Sequence, residues 1–223
     1  MKNLDKKPRI VFHHELNDLK KEVSNMCDVV LDAVHLSVMA LVTQNPLMAK
    51  ETLRYDHEID GLELGIENRC NELLALQQPV AKDLRDIVTI SKVIVSLDRL
   101  GDYAVNICQV TLATHKLQMV KPLSIIAVMH QKVDHIVRTA LKAFVEGNAK
   151  LAESLEGLDD DVDKLFVKVI EEGIETMKED PSSVNFTSNL ILVSKYLERM
   201  ADHACNIAGR TIYMVTGKRK KIH

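Results

Sequence analysis

Leu97-Asp98-Arg99-Leu100-Gly101-Asp102, followed by Asn106-Ile107, returns one hundred residues later as Leu197-Glu198-Arg199-Met200-Ala201-Asp202, followed by Asn206-Ile207. Toward the N-terminus the correspondence continues. Pro79 matches Pro181 at an offset of 102, and Met26, Asn45, Ala49, Asp56 and Asp60 match Met129, Asn148, Ala152, Asp159 and Asp163 at 103. Matches in this order and spacing mark a duplicated unit. The join falls near Lys121-Pro122 and divides the chain into 1–119 and 120–223.

Each unit reads as helix throughout. Of the 223 residues 46% are apolar but 4% aromatic, with no Trp, so Leu, Val, Ile, Ala and Met carry the core. That bias favours helices packed through aliphatic side chains. Pro8, Pro46, Pro79, Pro122 and Pro181 each precede a long segment of helical apolar spacing, and proline suits a first turn where its missing N–H costs nothing. Asn45 and Asp180 stand beside two of these starts as capping residues, and Gly147-Asn148 supplies one more break. The pattern predicts six long helices, at 10–44, 47–77, 80–117, 123–146, 149–179 and 183–216. Segments of about 30 residues run about 45 Å, and short connections make neighbours antiparallel. The expected fold is all-α, two tandem, internally repeated antiparallel three-helix bundles.

Within each unit two helices carry a carboxylate pair at i, i+4: Asp56/Asp60 and Asp98/Asp102 in the first, Asp159/Asp163 and Glu198/Asp202 in the second. Four residues is about 40° around a helix, so both members of a pair point the same way. One such pair costs a few tenths of a kcal/mol and needs no explanation; a repeated pattern of them does. A core stripe runs through Ile87, Ile90, Ile94, Leu97, Gly101, Val105 and Cys108, with Asp98 and Asp102 on its shoulder. Leu190, Leu197, Ala201, Cys205 and Ala208 give the last helix the same layout. Clustered carboxylates favour hard, oxygen-seeking cations such as Mg²⁺, Mn²⁺ or iron. The competing reading is an exposed acidic seam neutralised by Arg99, Arg199 and nearby lysines. Asn106 and Asn206 can offer an amide oxygen or a supporting hydrogen bond to a cation site, or can simply be exposed polar positions.

Other features point to less. Nine histidines show no paired ligand spacing across the repeats: His203 answers to Tyr103 and His57 to Asp160. Cys27, Cys70, Cys108 and Cys205 are dispersed, which suits core thiols in a reducing compartment better than a zinc cage or disulfides. A net charge of -3 gives no field for nucleic acid, and the cationic run Lys218-Arg219-Lys220-Lys221 reads as a solvated tail complementing the last helix's negative end. Neither a signal peptide at Met1–Lys7 nor an interior run of about 18 apolar residues is apparent, so a cytoplasmic protein is expected. No Glu-x-x-His, nucleophile elbow or phosphate loop occurs. The stretch Gln77 to Arg85 opens the third helix without a close copy in the second unit, and serves either as a helix start or as a contact surface.

At Gln77-Gln78-Pro79-Val80-Ala81-Lys82-Asp83-Leu84-Arg85, at the two acidic motifs with Asn106-Ile107 and Asn206-Ile207, and at Thr216-Gly217, the chain resembles the PhoU family, over essentially its whole length. The resemblance implies metal ions or multinuclear metal clusters, of iron, Mn or Mg, held by Asp98, Asp102, Glu198 and Asp202, with Asp56, Asp60, Asp159 and Asp163 on the facing side. It implies a non-enzymatic regulator linking a phosphate ABC transporter, through its ATPase subunit, to a sensor histidine kinase. Such a regulator helps repress the phosphate-starvation genes when phosphate is plentiful. Membrane association is expected through these partners alone, and a homodimer is expected. Asp98 where the family more often has Glu shortens a ligand by one methylene, and Ala201 where Gly is common restricts close approach. The alternatives are a carboxylate-bridged dinuclear enzyme and a metal-free helical scaffold.

Overall fold

The computed structural model describes residues 6–117, 120 and 122–222. Among them every regular element is helical: α1 (Lys6–Val42), α2 (Pro46–Thr52), α3 (Arg54–Gln77), α4 (Ala81–Thr114), α5 (Pro122–Glu146), α6 (Ala149–Glu153), α7 (Asp159–Glu179) and α8 (Val184–Thr216), with a 3-10 turn at Pro181–Ser183. The expected division at 119/120 falls beside residues 118, 119 and 121, which lie outside the described residues; so do Met1 to Asp5.

The capping residues do what their chemistry suggests. Asn45 accepts hydrogen bonds from the amides of Leu47 and Met48 at 3.0 and 3.1 Å. Asn148 repeats this with Leu151 at 3.1 Å, and Asp180 accepts from Ser182 at 2.9 Å. Each satisfies backbone donors that a helix start leaves unpaired. Gly147, at φ +61°, lets the chain leave α5.

Two of the six predicted helices are each divided. The segment 47–77 breaks at Leu53, just after the Thr52 hydroxyl donates back to the Met48 carbonyl at 2.9 Å, a bond that bends helices. The segment 149–179 breaks between α6 and α7, where Gly157 takes φ +80°. Breaks this short do not interrupt the run of apolar positions, so spacing passes over them. Their consequence is that α3 and α7 begin beside acidic residues, with Asp56 in the first turn of α3 and Asp159 in that of α7.

Helices α1, α3 and α4 form one bundle and α5, α7 and α8 another, while α4 lies along α8 and α1 along α5. The two bundles therefore share one continuous aliphatic core. Because α4 faces both its own bundle and α8, its buried surface is wider than a single stripe. Val93, Leu100, Ala104 and Ile107 are buried with the predicted positions, and Val105 is half-buried instead. All four cysteines are buried and free, and burial pushes the thiols of Cys27, Cys108 and Cys205 up to about 12. By length and composition Val11–Val42 of α1 would suffice to cross a membrane, but half of its most apolar stretch is buried in the bundle, including Met26, Val30 and Val34.

The C-terminal run keeps Lys218, Arg219 and Lys221 exposed, as a solvated segment should, but it is not a free tail. It folds back along α8, so that a Cβ on Gly209 would lie 2.8 Å from the Lys220 carbonyl oxygen. Lys220 pairs with Glu156 at 2.8 Å and Ile222 is buried. At the end of α8 Arg219 lies over the Tyr213 ring at 6.0 Å, and Arg85 from the α4 start joins it, its guanidinium 3.8 Å from where a Gly217 Cβ would stand.

The approach of α3 to α4 is set by Gly101, where a Cβ would meet Ile59 Cδ1 at 2.8 Å and Cγ2 at 3.3 Å. The corresponding pair in the second unit is Val162 and Ala201, both buried. A methylene removed on one helix offsets the methyl added on the other, so Ala201 is accommodated. Gly101→Ala should gain up to ~1 kcal/mol of helix propensity but overfill the contact at ~1–3 kcal/mol, for a net loss on urea denaturation. Adding Ile59→Val should recover ~1 kcal/mol relative to the sum of the two single effects, the coupling of side chains in contact.

Candidate metal centres

The i, i+4 pairs of facing helices meet as the repeat suggests. In the first unit α3 brings Asp56 and Asp60 to Asp98 and Asp102 of α4. Burial, followed by repulsion from Asp60 and Asp102, pushes the Asp56 carboxyl above its usual range. Burial, then Asp102 and Asp60, does the same to Asp98. In the second unit Asp163 is raised by burial and by Glu198, Asp159 and Asp202. Each set of four carboxylates is thus one electrostatic cluster on the shoulder of the core, the geometry expected from the core stripe.

The arginines of the motifs act alike in both copies. Arg99 donates to Asp102 at 2.7 Å and Arg199 to Asp202 at 2.9 Å. These are half-exposed pairs that still leave Asp56, Asp98 and Asp163 with raised carboxyls. Asp159 Oδ1 is buried without a hydrogen bond, whereas the buried Glu198 Oε2 is ion-paired with Lys195 at 2.7 Å and Arg199 at 3.5 Å. A buried acceptor left open in an all-oxygen donor set fits a hard cation.

The clusters are not equal, which the matched motifs did not reveal. Glu63, two turns beyond Asp56, joins the first cluster: burial, then Asp98, Glu67 and Asp60, raises its carboxyl. The repeat places Phe166 there in the second unit and exchanges Val95 for Lys195. Lys195 sits over the Phe166 ring at 5.1 Å while pairing with Glu198. The first cluster gains an acid and the second gains a cation. The spacing Asp56, Asp60, Glu63 was a legible sign, since all three share a helix face. His57, assigned no ligand role from its spacing, offers a ring nitrogen within 4.8 Å of carboxylate oxygens of Asp56 and Asp60, though it is exposed.

Asn106 is half-buried and Asn206 exposed. Among the described residues neither amide is hydrogen-bonded to the carboxylates, and Asn206 instead lines a shallow groove with Lys92 and Arg210. Between the clusters the repeat equivalents Tyr103 and His203 meet across the α4–α8 seam, ring centroids 5.9 Å apart, with Tyr196 stacked on Tyr103 at 5.9 Å. Burial, aided by Arg99 and Arg199 and opposed by Asp202, holds His203 below its ordinary value. This also places Arg99 of one motif near the other.

Comparison with known proteins follows the same halves. The PhoU domain profile matches residues 23–111 and 126–211. A phosphate-specific transport system accessory protein PhoU homolog of Clostridium acetobutylicum is 36% identical over 215 residues, covering 95% of this chain and 97% of that protein. The corresponding homolog 1 of Thermotoga maritima is 35% identical, with coverages of 94% and 91%. The crystal structure of PhoU from Pseudomonas aeruginosa superposes with a TM-score of 0.90 at 32% identity, over 93% of this chain and all of that one. The phosphate transport system regulatory protein PhoU from Streptococcus pneumoniae does so at 0.87 and 27%.

Mn²⁺ titration of the metal-free chain should resolve two phases. Asp102→Asn should remove the tighter one and Asp202→Asn the weaker. Both side chains are about 40% exposed, so the double variant should keep its far-UV circular dichroism; equal Mn²⁺ uptake by parent and double variant would exclude these ligands. The raised carboxyls also give a pH dependence. A group whose folded pKa lies above its unfolded value contributes stability that is present below the unfolded value and lost as pH rises through the folded one. These carboxyls therefore favour the fold more just above the ordinary carboxylate range than at neutral pH, against the opposite slope of the depressed His130 and His203. Asp98→Asn should accordingly lower the melting temperature of metal-free protein at the acid end relative to neutral pH, compared with the parent.

Proposed function

The chain belongs to the PhoU family, and from that premise we propose that it is a non-catalytic, metal-binding regulator of phosphate uptake and signalling. It links the ATPase subunit of a phosphate ABC transporter to the sensor histidine kinase of the phosphate response, and holds the starvation genes off while phosphate is plentiful. The observation that carries this reading is full-length similarity to proteins named as accessory to phosphate-specific transport, joined to the two carboxylate clusters. Asp56, Asp60, Glu63, Asp98 and Asp102 hold one cation site, and Asp159, Asp163, Glu198 and Asp202 the other. The cations are of the Mg²⁺, Mn²⁺ or iron class, singly or as multinuclear clusters, and they relieve the repulsion that burial of these groups imposes. The protein works in the cytoplasm as a homodimer, and reaches the membrane through its partners.

A contact surface is suggested at the α3–α4 turn. Leu76 and Val80 are 76% and 71% exposed, and Leu84 is exposed beside them. Gln78 and Ala81 both adopt left-handed backbone, at φ +44° and +51°, a strain that non-glycine residues keep where the surroundings impose it and that concentrates at functional sites. Capture from phosphate-replete source cells should recover the transporter ATPase or the kinase, and Val80→Asp should deplete at least one of them. Recovery of neither by the parent protein would overturn the adaptor role.

A further inference from the structure

Where α1 crosses α5, between the two bundles, His35 comes against His130, their ring centroids 5.8 Å apart and tilted by 39°. One turn along α5, Asp134 completes a group whose three ligand atoms all lie within 4.8 Å of one another. The chemistry here differs from that of the acidic clusters: two imidazoles and one carboxylate. His130 is 8% exposed, and its Nδ1 has no hydrogen-bond partner. Asp134 Oδ1 is likewise buried and unpartnered. An unmet buried polar atom costs a large part of its desolvation energy, and here two of them stand in one cleft. The other carboxylate oxygen accepts from Arg138 Nε at 2.8 Å, which fixes the orientation of Asp134 and leaves Oδ1 free, as groups supporting a metal ligand do. Burial, against the pull of Asp134 and with the push of His35 and Arg138, holds His130 below its ordinary value and so in the neutral form that ligates.

We propose that His35, His130 and Asp134 form a third metal site, for a borderline divalent cation of the zinc class, spanning the α1–α5 seam. Two nitrogens and one oxygen suit Zn²⁺ or Co²⁺ better than Mg²⁺ or Mn²⁺. Three protein ligands leave the fourth tetrahedral position to water, which the exposed His35 side of the cleft admits. Bonds of about 2.0–2.2 Å require the three donors to draw together slightly from their present spacing. Of the charged groups around it, Arg138 opposes the cation and Asp32, which faces Arg138, offsets it. A metal here would tie the first bundle to the second through α1 and α5, by donors that the carboxylate clusters do not use.

The test is Co²⁺ titration of the metal-free full-length chain at neutral pH, read by visible ligand-field absorption. A four-coordinate site with imidazole ligands gives an intense band, and six-coordinate oxygen sites a weak one. The parent should develop the intense band at saturation with the intensity of one four-coordinate Co²⁺ per chain. His35→Ala, at an exposed position, should weaken Co²⁺ at that band at least about tenfold, while the Asp102→Asn, Asp202→Asn double variant should leave it unchanged. An absent intense band in the parent, an unaltered titration in His35→Ala, or loss of the band in the carboxylate variant instead would each overturn the proposal.

Discussion

The contact of Ile59 with Gly101 lies between the carboxylates of α3 and those of α4. Four like charges drawn together at the shoulder of a bundle repel one another, and nothing in the acids themselves would hold them there. What holds them is the aliphatic surface beneath, where the missing Cβ of Gly101 lets α3 approach α4. Packing interactions outweigh a repulsion of tenths of a kcal/mol per pair, and the balance leaves Asp56, Glu63 and Asp98 with raised proton affinities. A cation binding there meets donors whose mutual repulsion folding has already opposed.

Duplication then sets two such clusters side by side, and divergence makes them different. The α4–α8 pairing merges the bundles into one core and brings both motifs to a common seam, with Tyr103 and His203, equivalent positions of the two repeats, in ring contact. Glu63 on one side and Lys195 on the other shift the charge in opposite directions. On the proposed metal reading, the two clusters would fill at different levels of metal supply. The breaks at Leu53 and before Asp159 add to this by starting α3 and α7 at the clusters, where the positive end of each helix faces the acids.

Much of this was legible in the sequence, because it follows from local rules. Helical periodicity, the capping of Asn45, Asn148 and Asp180, the proline starts and the offset of 103 and then 100 residues gave the helices, their order and the duplication. The i, i+4 spacing put each acid pair on one helix face, and antiparallel neighbours did the rest. The division of two helices was missed because a hydroxyl bonding back to a carbonyl, or one glycine at positive φ, alters backbone geometry without changing the pattern of apolar residues.

What the tertiary structure alone decided is how the halves meet. Helical spacing fixes which residues share a face of one helix, but the crossing of α1 with α5 and of α4 with α8 depends on the fit of whole apolar surfaces far apart in sequence. His35 and His130 have no paired spacing, and only that crossing brings them together. The C-terminal segment, read as a solvated tail, is drawn back over α8 because Gly209 leaves room for the backbone and Glu156 pairs with Lys220. Pattern in a sequence records what each helix must bury; the partner it buries against is chosen by complementarity in three dimensions.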